Sequence, residues 1–371
     1  MNIMNQGACV LLWSLAVFSV VAAEEQSTQG PGCKREECVP VAECPPLREL
    51  LLQSPTEDSF KEIRKLTCFV KKTRPWVCCP STPPPSPPSR RRSSKLRQSL
   101  LPNDCGKSNY IPVFEGEGAP LKTYPWKAVL QYRVISEKYL LTNRVYCSGS
   151  VINERYVLIP AQCVAKNMTE DLGIELVEVL LGEWDISTDP DCTNLKGKKY
   201  CAPPVQRFAV EEVTIHPDFF KRGIISDDIA LLRLSRPIDF KASGGFIQPV
   251  CLPRAGISAE AVFRDGAFMN SWNSSLPRPS NHILSYVDKT TCDRVLRDTY
   301  VKEQICMQVG QGQPDYTAAR GAPLMVTDSR RRTSYTQYGI LIAKPKGTET
   351  LPGLFTYIPP YMQWIEGTLR P

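Results

Sequence analysis

The chain contains fifteen cysteines but only two histidines, His216 and His282, and this ratio restricts the chemistry that its side chains could perform. Histidine is the usual proton acceptor near neutral pH and, together with cysteine, the usual ligand of zinc. His216 lies in the motif Thr-Ile-His-Pro-Asp, His282 lies in a polar stretch, and both stand apart from the cysteines. The sequence therefore predicts no zinc site, and a histidine base would have to be one of these two residues.

The cysteines indicate an oxidising compartment. Cys9 lies in an apolar run from Ala8 to Ala23, which ends in small residues before Glu24 and is too short to span a membrane easily. We predict a cleaved signal peptide over residues 1–23, with an uncleaved anchor as the alternative. The remaining fourteen cysteines (fifteen less one) can all pair in a secreted protein, although spacing alone does not fix the pairing. Nothing later in the chain predicts a membrane span.

Three segments resemble the catalytic motifs of chymotrypsin-like serine proteases. The segment from Cys147 to Cys163 resembles the family's histidine motif, CGGSLI…VLTAAHC, but Gln162 stands where the family has histidine. The segment Asp-Asp-Ile-Ala-Leu-Leu-Arg-Leu resembles the aspartate motif and keeps the aspartate, Asp228. In Ala-Ala-Arg-Gly-Ala-Pro-Leu, which stands where the family has GDSGGPL, Arg320 replaces the nucleophilic serine. The resemblance implies an all-β fold, a chymotrypsin-like double six-stranded β-barrel with a C-terminal helix.

The two replacements remove the chemistry that these motifs normally supply. Ser-His-Asp hydrolysis needs a hydroxyl, a base that takes its proton near neutral pH, and a carboxylate that orients the base. The amide of Gln162 does not titrate, and Arg320 stays protonated and only donates hydrogen bonds. Loss of triad members costs on the order of 10⁶ in rate in a comparable enzyme. We therefore predict a pseudoprotease in which Asp228 is a structural residue, hydrogen-bonded in the core.

Other parts of the family's machinery are altered as well. The turn that forms the oxyanion hole begins with glycine in the family, whereas this chain has Ala318 and Ala319. Ala319 also replaces the buried aspartate that binds the new amino terminus after activation. The other altered positions are Pro112 before the activation cut, Pro314 at the specificity floor, Tyr316 in place of a bridge cysteine, and Ile342-Ala343-Lys344 at the cleft edge. These changes occur together, which favours a binding role.

Residues 33–80 resemble a clip domain, the regulatory module of arthropod secreted proteases. The resemblance rests on the run Cys-Pro-Pro-Leu-Arg-Glu-Leu-Leu-Leu that starts at Cys44, and on the ending Val-Cys-Cys-Pro80. It implies three disulfides: Cys33–Cys78, Cys38–Cys68 and Cys44–Cys79. A unit this small buries little apolar surface, so we expect the bridges to supply about 2–4 kcal/mol each.

A linker over residues 81–104 follows, with a polyproline spacer and then a basic stretch. The basic stretch contains sites for trypsin-like enzymes at Arg90, Arg91, Arg92, Lys95 and Arg97. It is either a solvated linker or a processing site. Because the family's usual activation site is lost, we favour a processing site. A cut in the basic stretch would lie upstream of Cys105.

Residues 105–371 form the protease-like, inactive domain in this interpretation. The resemblance implies its four bridges: Cys105–Cys251, Cys147–Cys163, Cys192–Cys201 and Cys292–Cys306. In relatives the loop that holds Cys192 and Cys201 can bind calcium, with the residue matching Glu183 as one ligand. We find no dense pattern of oxygen ligands here, so we expect no metal or other cofactor, and Glu183 is a weak calcium candidate.

Apolar or alternating segments between turn signals predict the strands of this domain: Lys127–Arg133, Ser150–Ile159, Val177–Leu181, Ile229–Leu234 and Gly339–Ala343. The segment from Pro360 to Leu369 has a helical pattern and matches the family's closing helix. Sequons at Asn167 and Asn273 predict glycosylation if these residues are exposed.

The resemblance covers nearly the whole mature chain and identifies it as a clip-domain serine protease homologue, a non-catalytic relative of arthropod haemolymph proteases. It implies a secreted cofactor or regulator that binds active clip-domain proteases or prophenoloxidase, in melanisation or in Toll signalling. The net charge of +7 leaves a second interpretation, recognition of anionic microbial surfaces. Secretion argues against a nucleic-acid partner.

Overall fold

The structure, a computed structural model, describes residues 34, 37–47, 63–71, 74–80, 99–108, 120–136, 145–195, 197–223, 225–272, 277–296, 301, 303–310, 318–328, 331–344 and 352–371. The chain divides into two compact units, Met1–Arg97 and Gln98–Pro371. The predicted signal peptide and the basic cleavage sites lie outside the described residues. Within the described ranges, no helix is long and apolar enough to cross a membrane.

The first unit contains a small antiparallel sheet held by disulfides. Its strands are β1 (Cys38–Pro40), β2 (Thr67–Lys71) and β3 (Arg74–Cys78), in the order β1-β3-β2. Among the described residues, the bridges Cys38–Cys68 and Cys44–Cys79 accompany a small buried cluster of Cys44, Leu47, Ile63 and Val77. Cys78 forms no bridge within the described residues, and Cys33 lies outside them, so the pair Cys33–Cys78 stays a prediction.

The second unit is built mainly of strands. Its strands are β4 (Lys127–Val134), β5 (Cys147–Val151), β6 (Tyr156–Ile159), β7 (Ile174–Leu181), β8 (Cys192–Leu195), β9 (Lys198–Cys201), β10 (Gln206–Phe208), β11 (Val210–Ile215), β12 (Ala230–Leu234), β13 (Ala267–Ser271), β14 (Ser280–Val287), β15 (Gln304–Val309), β16 (Pro323–Asp328), β17 (Arg331–Ala343) and β18 (Gly353–Tyr357). Its helices are α1 (Lys166–Asp171), α2 (Ala259–Val262), α3 (Lys289–Leu296) and α4 (Met362–Thr368). The closing helix α4 confirms the predicted C-terminal element.

The strands form two main sheets. The second half of the unit is a closed barrel of six strands in the order β13-β14-β15-β18-β17-β16. The first half has seven strands in the order β10-β7-β4-β5-β6-β12-β11, where a closed six-stranded barrel was expected. Its two outer strands are consecutive in the chain, with only Ala209 between them, so the sheet curls back on itself. The all-β, chymotrypsin-like fold class is confirmed, and β10 and β11 count as one strand of the expected six when they are joined across Ala209.

One predicted strand is two strands. The segment Ser150–Ile159 was expected to be continuous, but it turns between β5 and β6. The side-chain oxygen of Asn153 accepts hydrogen bonds from the backbone N–H groups of Arg155 and Tyr156, both at 2.8 Å. Such side-chain to backbone bonds stabilise a turn against an extended strand. The turn folds β6 back along β5, and both strands lie in the buried core.

Four disulfides lie in the second unit: Cys105–Cys251, Cys147–Cys163, Cys192–Cys201 and Cys292–Cys306. These are the four pairs that the family resemblance implies for this unit. The bridge Cys147–Cys163 joins the start of β5 to the turn after β6, and that turn carries Gln162.

Candidate functional site

Gln162 lies in a short 3₁₀ turn, Ala161–Cys163, that follows β6. Pro160 precedes this turn and ends the strand, because proline cannot donate the next ladder hydrogen bond. All three residues of the turn are buried, and Gln162 is only 5% exposed. The cysteine bridge to β5 fixes the turn, so the position of the Gln162 side chain is determined by the sheet.

The buried amide of Gln162 is fully engaged with groups of the core. Its backbone N–H donates to Oδ1 of Asp228 at 2.8 Å, and its side-chain Nε2 donates to Oδ2 of the same carboxylate. Nε2 also donates to the carbonyl oxygen of Ile342 at 2.9 Å. Both protons of the side-chain amide are therefore used, and the group has no proton-accepting nitrogen. The arrangement can hold Asp228 in place but cannot act as a base.

Asp228 is completely buried beside Gln162, where the loop before β12 meets the closed barrel. Its backbone carbonyl accepts a hydrogen bond from Oγ1 of Thr356 at 2.9 Å. Burial raises the pKa of the carboxyl to about 7, although the hydrogen bonds from Gln162 and the charge of Arg320 act in the opposite direction. Asp228 is thus held by its neighbours as a structural group.

We expect Asp228 to make the stability of this unit depend on pH. Its pKa is raised from 3.8 to about 7 in the folded state, so its contribution is complete at acidic pH and is lost as pH rises through about 7. The corresponding loss of unfolding free energy is roughly 4 kcal/mol. Asp228→Asn should flatten this decline in denaturant unfolding curves recorded from pH 4 to pH 8. The exposed control Asp265→Asn should keep it; an unchanged slope in Asp228→Asn would contradict the assignment.

Arg320 occupies the turn before β16 and is attached to β5 through its backbone. Its carbonyl oxygen accepts hydrogen bonds from the backbone N–H of Ser148 at 2.7 Å and from Oγ of Ser148 at 3.3 Å. The guanidinium carbon lies 5.5 Å from the centre of the Tyr146 ring. Its Nε is buried and has no hydrogen-bond partner among the described residues. A guanidinium, which has no hydroxyl, thus occupies the position that the sequence aligns with the family's serine.

Ala319 packs into a small apolar cluster behind Arg320. The cluster consists of Val129, Val145, Leu180, Trp272 and Ala319, all buried. The backbone N–H of Ala319 is satisfied by the carbonyl of Trp272 and by Oγ of Ser271, both at 2.9 Å. Lys127 lies over the Trp272 ring, with Nζ 3.7 Å from its centre, and donates to Oδ1 of Asn270 at 2.6 Å. Burial lowers the pKa of Lys127 well below its usual range.

Neither histidine replaces the missing base. His216 packs edge-on against Tyr361 and Trp364, and burial lowers its pKa. Nε2 of His282 lies 2.9 Å from Oγ of Ser280 on the same strand, β14. Both members of this serine–histidine pair are buried, at 7% and 8% exposure, so a peptide substrate does not reach them.

The loop after β7 holds the weak calcium candidate. Burial and the negative charges of Asp191 and Asp189 raise the pKa of Glu183 to about 7, and its Oε1 has no hydrogen-bond partner among the described residues. The oxygens of Asp191 already accept hydrogen bonds, from the backbone N–H groups of Trp184 and Asp185 and from Thr188. In the part of the chain described, no group of three or more metal-ligating side chains comes together. The calcium candidate Glu183 stays a prediction that rests on the resemblance.

The remaining predicted positions are either exposed or outside the described residues. Asn167 lies in α1 and is exposed, as a glycosylation site requires. Asn273, Pro314, Tyr316 and Pro112 lie outside the described residues. Two features of the site were missed in the sequence: the Tyr146 ring beside Arg320, and the apolar cluster around Ala319. Tyr146 directly precedes Cys147, the first residue of the motif that contains Gln162. This adjacency was the feature of the sequence from which its place near the site could have been predicted.

Two family models match the chain. The model of the regulatory CLIP domain of proteinases matches residues 29–79, and the Trypsin model matches residues 113–365. The chain belongs to the trypsin family. This trypsin-family chain is 31% identical over 381 residues to CLIP domain-containing serine protease B10 of Anopheles gambiae, covering 98% of each chain. It is 28% identical to phenoloxidase-activating factor 1 of Holotrichia diomphalia, covering 99% of this chain and all of the relative.

A solved structure supports the same membership. The crystal structure of the Drosophila Grass clip serine protease of the Toll pathway superposes with a TM-score of 0.59 at 28% identity. The match covers 89% of this chain and 93% of that chain. The predicted family and fold are thus confirmed for a trypsin-family member with an N-terminal CLIP domain.

Proposed function

We propose that the protein is a secreted, non-catalytic regulator of an extracellular protease cascade in innate immunity. The observation that carries the proposal is the state of Gln162, whose amide protons bind Asp228 and the carbonyl of Ile342 where a base would have to be free. Arg320 adds a second block, since a guanidinium stays protonated and offers no electron pair. A fold that keeps its bridges and lacks these groups can act by binding.

The cascade itself is inferred from the relatives. One is a phenoloxidase-activating factor and another is a protease of the Toll pathway, and both match this chain over most of its length. We infer that the partners are active clip-domain proteases or prophenoloxidase, and that the effect is exerted in haemolymph. The exposed sequon at Asn167 and the fourteen cysteines outside the predicted signal peptide are consistent with secretion.

Reconstitution would test this role. Purified full-length protein is added to prophenoloxidase and an active clip-domain protease, and melanin-forming activity is followed over time. We expect the rate to rise or fall by severalfold in proportion to added protein, while heat-inactivated protein has no effect. No change in this assay, and none in a matching Toll-ligand processing assay, would reject the regulatory role.

Microbial-surface recognition is the second candidate, favoured by the net charge of +7. Two pull-downs separate the candidates: one from haemolymph, which should retain proteases or prophenoloxidase, and one on bacterial cell wall. Retention on cell wall alone would favour recognition.

Cleavage in the basic linker is expected to accompany the regulatory role. Incubation with an active clip-domain protease should nick the chain between Arg90 and Arg97, because this stretch is rich in basic residues and the usual activation site is lost. Mass spectrometry of the fragments locates the cut. A variant with glutamine at the five basic positions is the control, and an intact wild-type chain after full digestion of a reference zymogen would reject the processing idea.

A further inference from the structure

A groove runs along the outside of the seven-stranded sheet, next to the Arg320 turn. It has a volume of about 690 Å³. Its lining includes Tyr132 and Val134 at the end of β4 and the segment Ile186–Asp189. Tyr146 also lines the groove and is the ring that Arg320 contacts. Tyr146 therefore contacts both the groove and Arg320, the residue that stands where the family has its serine.

Two tyrosine rings line the groove and are held by contacts within the protein. Tyr132 and Tyr146 form an edge-to-face pair with ring centres 5.5 Å apart. The hydroxyl of Tyr132 donates to the carbonyl of Cys163 at 2.8 Å, directly after Gln162. Both rings are thus oriented before any partner arrives, and pre-organised aromatic side chains lower the entropic cost of binding.

Large apolar side chains are exposed at the open end of β4. Val134 is 54% exposed and Ile135 is 56% exposed, the two highest values among the large exposed hydrophobic side chains of the described residues. They are adjacent in the chain, and Val134 lines the groove. Isolated exposed apolar residues are ordinary, but an exposed apolar end that continues an aromatic lining is typical of an interaction surface.

The charges along the groove are unbalanced towards the negative side. Among the described residues that line the groove, the one cation is Arg207, and it is already paired: its Nη1 lies 2.6 Å from Oε1 of Glu178 and also donates to Gln131. The lining carboxylates Glu183 and Asp189 have no such cationic partner in the described part of the chain. Repulsion from Asp189 contributes to the raised pKa of Glu183, so a cation placed near them would be stabilised.

We propose that this groove binds an extended segment of a partner protein that carries a lysine or arginine flanked by apolar side chains. The apolar side chains would lie on Tyr132, Tyr146 and Val134, and the cation would lie beside Glu183 and Asp189. This proposal adds a binding site to the proposed function. It rests on that function only in that both assign the protein a role through binding.

Selection from a displayed library of short random peptides on immobilised full-length protein tests the proposal. Peptides that contain a basic residue between apolar residues should be enriched. They should bind the Val134→Asp variant at least about tenfold more weakly, because a carboxylate replaces an apolar contact. The control Val213→Asp, at a similarly exposed valine on β11, should bind like the wild-type protein. Glu183→Gln should weaken the same peptides.

The outcomes are distinct from those that test the proposed function. Enrichment of acidic peptides, equal binding to wild-type protein and Val134→Asp, or no enrichment would each overturn the groove assignment. In the reconstituted cascade, a wild-type protein without effect rejects the regulatory role whatever the groove binds. An active wild-type protein with an equally active Val134→Asp variant rejects the groove alone.

Discussion

Gly321→Ala is expected to lower the unfolding free energy of the protease-like unit by about 4 kcal/mol or more. Gly321 has φ of +88°, and a Cβ at this position would lie 1.7 Å from the carbonyl oxygen of Ser148. That carbonyl belongs to β5, which cannot retreat because its neighbour Cys147 is bridged and buried. The clash would also separate Arg320 from Ser148.

Gly256→Ala provides the matched control for this change. Its φ of +81° is nearly the same, but no atom lies within 4 Å of the added Cβ. It should therefore cost only the backbone strain, about 1–2 kcal/mol. Thermal unfolding and the yield of secreted protein measure both variants. Unfolding of Gly321→Ala within a degree of Gly256→Ala would contradict the predicted clash with Ser148.

Ala319→Asp is expected to destabilise the unit by about 3–5 kcal/mol at pH 7.5, since the carboxylate would be buried without a partner. Ala319 is 7% exposed and packs against Val145 and Trp272. Burial raises the pKa of such a carboxyl, so the penalty is small below its unfolded pKa and grows as pH rises. Unfolding in urea at pH 4.5 and pH 7.5 measures this dependence.

Ala319→Asn separates charge from size in this experiment. Asparagine has nearly the same volume, so the two variants should differ at pH 7.5 and converge at acidic pH. An Ala319→Asp variant as stable as Ala319→Asn at pH 7.5 would contradict the assignment of this cluster as one that holds no partner for a carboxylate.

The places of Gln162 and Arg320 in the fold were predictable from the sequence because disulfides and short motifs mark them. Gln162 is adjacent to the bridged Cys163. Arg320 precedes Gly321, whose backbone conformation is one that residues with a Cβ rarely adopt. The hydrogen bond from Gln162 to Ile342 was not predictable, because it joins residues 180 positions apart in the chain. Such contacts depend on how the two halves of the unit pack, which local patterns do not contain.

The errors in the fold have equally local causes. The break between β5 and β6 follows from the side chain of Asn153, whose turn-forming bonds outweigh the apolar pattern of the flanking residues. At Ala209 a single residue interrupts the outer strand of the first sheet and divides it into β10 and β11. The burial of Lys127 was not predicted either, since an alternating strand pattern does not reveal that a tryptophan ring and an amide cover the amine.

Labelling with a serine-directed fluorophosphonate tests the central claim most directly. Full-length protein is exposed to the probe before and after nicking of its linker by an active clip-domain protease, with a catalytically competent relative as the positive control. Because Arg320 offers no hydroxyl and Gln162 accepts no proton, we predict no labelling in either state while the relative reacts fully. Stoichiometric labelling of the protein, before or after nicking, would contradict a non-catalytic role.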